Sequence, residues 1–128
     1  MSWIFLGVAG IKAVQADEIE TYGGSHGLRD AGLLESAVMR AENKAAYDPY
    51  ATAASIGASL SYGLIKNHAF IDGNKRIGLA ALVDFLALNG YMLNVAEEEQ
   101  VTMVWRAAAS EITEEEFTAW VERSVAAL

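Results

Sequence analysis

The chain has 128 residues, 53% of them hydrophobic, with no cysteine and a formal net charge of −8. That is one domain's worth, spanning residues 1–128, and it buries roughly two-thirds of the surface its unfolded form exposes. The acidic balance argues against bare nucleic acid or an anionic membrane as a direct partner, and the missing cysteines exclude disulfide and thiolate chemistry.

The first apolar stretch, SWIFLGVAGI, carries no charge before Lys12. It lacks the basic leader of an export signal and is expected as an ordered first element. The second, 77–88, is interrupted by Asp84 and is shorter than the roughly 20 residues a bilayer requires. No membrane span and a cytoplasmic location are expected. Between them, Ile11, Val14, Ile19 and Tyr22 recur at helical spacing, so 11–22 is a predicted helix ended by GGSHG at 23–27. Asp30 is placed to cap a second helix running to about Ala46. Pro49 stops it. A third helix, about Ala51 to Lys66, is crowded with small residues, which let another backbone approach closely and mark a central helix.

A fourth helix begins at Gly73 or Asn74 and ends at Asn89-Gly90. It is apolar on all sides after Arg76, the pattern of a helix surrounded by others. Asn94 with Glu97 and Thr113 with Glu116 have capping-box spacing and open a fifth and a sixth helix. Trp105 and Trp120 are expected to anchor these two. The fold class is therefore mainly α, with room for a short hairpin in 23–29 or 47–50.

The chemistry gathers in HAFIDGNKRIG, residues 68–78. Phe70 and Ile71 are expected to anchor the loop in the core. A helix N-terminus presents unpaired N–H groups and binds phosphate. Lys75 and Arg76 sit in its first turn, where cations oppose the helix dipole; an anion at the site explains them. Asn74 supplies another donor, and Gly73 allows close backbone approach. Asp72 supplies a hard oxygen of the kind Mg²⁺ takes together with substrate phosphates. His68 is a candidate general base, one of only two histidines. Base, metal ligand and polyphosphate cradle together are what phosphoryl or nucleotidyl transfer to a hydroxyl needs.

HAFIDGNKR resembles the HPFxDGN(G/K)R signature of the Fic superfamily. YGGSHGLRD at 22–30, LLESAV at 33–38 and FLALNGY at 85–91 are similar to the death-on-curing (Doc) branch, toxins of bacterial toxin–antitoxin pairs. The resemblance extends over about 12–123. It implies a compact bundle of about six helices with a small β-hairpin flap. His68 is then the base, Asp72 the Mg²⁺-associated acid, and Gly73, Asn74, Lys75 and Arg76 the contacts to ATP.

Three positions depart from the common pattern. Ala69 replaces a proline. Leu79 stands where AMP-transferring members carry a second arginine, and Lys75 where they carry glycine. The last two match the Doc branch, described as a kinase that phosphorylates translation elongation factor Tu. AMP transfer to a protein hydroxyl and a non-catalytic nucleotide-binding module are the alternatives. No Ser/Thr-x-x-x-Glu-(Gly/Asn) inhibitory pattern occurs, since Ser36 is followed by Arg40 four residues on. An antitoxin acting in trans is therefore the implied partner. GGSHG also fits G-x-S-x-G, the serine nucleophile elbow, which requires a strand before it and a helix after it. His26 is expected to be structural or a flap residue.

Overall fold

A computed structural model describes residues 2–128. Among them the chain forms six helices and two short strands: α1 (Gly7–Tyr22), α2 (Ala31–Tyr47), α3 (Ala53–Asn67), α4 (Asn74–Leu88), β1 (Tyr91–Leu93), α5 (Glu97–Ala108), α6 (Glu114–Ser124) and β2 (Val125–Ala127). The mainly helical class is as expected.

The center is α3. Of its residues only Tyr62, Lys66 and Asn67 escape full burial, and it packs against α2, α4, α5 and α6. Its small residues are the reason: Gly57 lies against Leu82 and Phe85 of α4, while Gly78 of α4 receives Ile65 of α3. Ser61 Oγ donates to the Gly78 carbonyl at 2.7 Å across the same contact. One apolar cluster, with Ile11, Leu34, Leu60 and Phe70, fills the α1–α2 side of α3. A second, with Leu82, Val104, Phe117 and Trp120, fills the α5–α6 side.

The expected caps hold at two helices. The Asp30 side chain accepts the Leu33 N–H at 3.0 Å, and Thr113 and Glu116 exchange both bonds of a capping box. Thr52 and Ser55 form another box, so α3 starts two residues later than expected. Asn94 does not cap α5. Its N–H donates to the Ser124 carbonyl at 2.7 Å, prolonging the β1–β2 pairing, and Ala96 is the N-cap without a side-chain bond. Glu97, Glu98 and Glu99 complement the α5 dipole instead.

Three further expectations change. The small sheet is antiparallel but pairs 91–93 with 125–127, so α5 and α6 rather than a hairpin turn join its strands; 23–29 contributes one isolated bridge, Leu28 to Phe70. Helix α4 is not enclosed: Val83, Asp84, Ala87 and Leu88 are exposed, because α3 covers only one face and α1 and α5 flank it incompletely. Trp120 is buried, its indole N–H donating to Glu99 at 2.8 Å, whereas Trp105 is 43% exposed and anchors no core. The Asn89-Gly90 stop is as expected, and the Asn89 amide also ties down Ile4 through both backbone groups.

Candidate active site

The loop between α3 and α4 is fixed mainly by backbone contacts. Helix α3 ends by placing His68 in the left-handed region (φ 51°, ψ 48°). That costs a non-glycine residue roughly 1–2 kcal/mol. The Ala69 carbonyl then accepts two N–H groups, from Arg29 at 2.7 Å and Asp30 at 3.0 Å. Phe70 is buried as expected. Ile71 is not: it is 58% exposed and lies against Gly27 outside the core, while its N–H donates to the Gly27 carbonyl at 3.1 Å. Asn74 closes the loop on itself. Its Oδ1 accepts from the Phe70 N–H at 3.1 Å and its Nδ2 donates to the Phe70 carbonyl at 3.0 Å.

Helix α4 therefore starts on a rigid loop. Gly73 is its N-cap at φ 79°, and no side chain caps the first turn. The first N–H groups of a helix have no intrahelical partners. Lys75 and Arg76 belong to that turn, and it carries no acidic residue. Hydrogen bonding and charge in this turn both suit an anion.

The glycine-rich loop 23–27 lies across this N-terminus. Asp72 Oδ2 accepts the Ser25 N–H at 3.2 Å and its Oδ1 accepts the Gly73 N–H at 2.8 Å. Arg76 Nη2 donates to the Gly23 carbonyl at 3.1 Å. Gln15 Nε2, from α1, donates to the Ser25 carbonyl at 3.3 Å. Gly24 (φ 116°) has no room for a side chain, since a Cβ there would stand 2.6 Å from Asp72 Oδ2. The loop follows a helix, not a strand, so the serine-elbow reading fails. His26 is exposed, 3.9 Å from Glu20.

Lys75 is turned to the other side. Its ammonium stands 4.6 Å from the center of the Trp105 ring of α5, a cation–π distance. Beyond Arg76 a cleft of about 520 Å³ runs along α4, lined by Tyr22, Leu79, Val83 and Val101 with Glu18 and Asp84. Burial raises the Glu18 carboxyl above its ordinary value although Arg76 opposes it; burial and then Asp17 raise Asp84.

Asp72 is an exposed carboxylate in which each oxygen accepts one N–H and keeps a second lone pair. Among the described residues no cluster of three or more His, Asp or Glu could hold a metal alone. The donor set fits Mg²⁺ shared with substrate phosphates and does not fit a protein-only zinc site.

A model of the Fic/DOC family matches residues 5–86, from just before α1 into the last turn of α4 and across the whole 68–76 motif. The chain belongs to the Fic/DOC family. A protein of Mycolicibacterium smegmatis (strain ATCC 700084 / mc(2)155) named Toxin Doc is 41% identical over 73 residues, 56% of each chain. The chain thus spans about half the length of the curated relative it matches. The family match stops well short of residue 123, where the resemblance was expected to reach; α5, α6 and the small sheet lie beyond it.

Of the expected site residues, Asp72, Gly73, Lys75 and Arg76 gather at the α4 N-terminus, with His68 on the same loop. Asn74 has both ends of its side chain committed to Phe70. Gln15, Gly24 and Arg29 were not among the expected site residues. Gln15 had a signal: it is the polar member of the Ile11–Gln15–Ile19 row, and it is buried with them.

Proposed function

We propose that this chain is the toxin of a bacterial toxin–antitoxin pair and uses Mg-ATP to phosphorylate a hydroxyl side chain of a target protein in the cytoplasm. The family resemblance names elongation factor Tu as that target. The observation that carries the reading is the uncapped, doubly cationic start of α4, set between Asp72 and the glycine loop.

In this reading the α4 N–H groups and Arg76 hold the polyphosphate, and Gly73, whose own N–H goes to Asp72, allows its close approach to the backbone. Asn74 keeps the loop shape that presents them, and its remaining amide hydrogen is available to a phosphate oxygen. Asp72 would hold Mg²⁺, which neutralises phosphate charge when bound. His68 takes the proton of the acceptor hydroxyl as its oxygen bonds to the γ-phosphorus; the bond to the bridging oxygen breaks and ADP leaves. Arg76 and Asp72 each keep hydrogen-bonding positions for this beside their contacts to loop 23–25. An antitoxin supplies inhibition in trans.

Mass spectrometry of cell extract treated with the protein and Mg-ATP tests this. One added phosphate on a protein is expected, abolished by His68→Ala with a loss of at least about 10²-fold. One added AMP would replace phosphotransfer by nucleotidyl transfer. Nucleotide binding without any product would leave a binding module.

A further inference from the structure

We propose that Arg29 is a positioning residue for His68, acting through the backbone and not on the reactants. The inference rests on His68 being the base. Among the described residues only His68 and Ser110 are non-glycine residues with positive φ. A helix C-terminus that needs the left-handed conformation ordinarily uses glycine or asparagine there. Histidine at this point is strained, and such strain persists only where the surroundings enforce it.

Arg29 is what enforces it. Its Nε donates to the His68 carbonyl at 2.7 Å and its Nη2 to the Asn67 carbonyl at 3.2 Å. The planar guanidinium fork thus spans two successive carbonyls at the end of α3. Holding both fixes the peptide planes on either side of the His68 Cα, and with them the direction of its Cα–Cβ bond. The Arg29 N–H also donates to the Ala69 carbonyl at 2.7 Å, so one residue grips three consecutive carbonyls. The Asn67 amide donates to the Leu33 carbonyl at 2.9 Å, which ties the same corner to α2. Arg29 itself is exposed, so its removal opens no core cavity. It also places a cation at the negative end of α3.

A reacting group displaced by about 1 Å loses about 10²-fold in rate. Arg29→Ala is therefore expected to slow transfer by about 10- to 100-fold at saturating Mg-ATP, with the Mg-ATP concentration for half-maximal rate changed less than about twofold. Arg29→Lys, which can reach one carbonyl but not form the fork, is expected to fall between. The deciding measurement is a cycle with His68→Ala, following label from γ-labelled ATP onto extract protein in single turnover. With alanine at 68, Arg29→Ala has nothing left to misplace and is expected to change the residual rate by less than about twofold.

Equal losses from Arg29→Ala in both backgrounds would overturn the proposal, as would an unchanged rate in the His68 background. If Arg29→Ala does not fold, Arg29→Lys runs the same cycle. Full activity in His68→Ala would instead overturn the reading of His68 as the base, and the two failures are read from different arms.

Discussion

Asp72 accepts the backbone N–H of Ser25 at 3.2 Å, which joins the loop ahead of α4 to the loop behind α1. One turn further on, Arg76 holds the Gly23 carbonyl. The two groups that would meet metal and phosphate are thus both occupied by the same short segment. A Mg-nucleotide bound there would meet both groups beside that segment.

Asp72→Asn keeps an oxygen acceptor but removes the charge. One of two hydrogen bonds is lost, so the melting transition should shift by no more than about 1 kcal/mol. Transfer should fall sharply and respond weakly to added Mg²⁺. Parallel melting curves and magnesium titrations separate the two effects.

Gly24→Ala sets a side chain in a left-handed position and against the Asp72 carboxylate. The backbone cost alone is about 1–2 kcal/mol, and the carboxylate must move. Lower thermal stability together with a higher Mg²⁺ requirement is expected. A variant as stable as the parent would show that the loop reshapes freely.

Gly78→Ala addresses the helix that carries the site. Its Cβ would stand 2.5 Å from Ile65 Cγ1 and 3.3 Å from the Ser61 carbonyl oxygen. Overpacking of this kind costs about 1–3 kcal/mol, readable as a shift in the urea midpoint at unchanged slope.

Asp84 and Glu18 titrate above their ordinary values of 3.8 and 4.5. The folded state thus binds their protons more tightly than the unfolded state. Their contribution to stability is full below those values and is lost as pH rises through the raised ones. Asp84→Asn should therefore stabilise the protein at neutral pH, by less than about 1 kcal/mol because the group is largely solvated. The gain should vanish below about pH 3.8. Thermal melts across pH give the sign directly.

The helical bodies were legible because their apolar spacing is local, and so were Asp30 and Thr113 as caps. What was not legible depends on distant partners. Asn94 has capping-box spacing, but Ser124 claims its N–H for the sheet. Arg29 reaches carbonyls 38 and 39 residues away, and no spacing encodes that. The strands 91–93 and 125–127 are too short for alternation to show. The apolar sequence of α4 gave no hint of an open face, since exposure there is set by how far α1 and α5 reach. The motif itself was readable as residue types in order; the clasp of loop 23–25 over it was not.

Lys75 rests on Trp105, and Trp105 lies beyond residue 86, where the family match ends. One of the two cations in the first turn of α4 therefore takes its resting place from a helix outside the matched residues 5–86. Exchanging Trp105 for an aliphatic side chain would remove the ring on which that ammonium rests while leaving every letter of the motif intact. The motif alone therefore does not fix where its lysine lies.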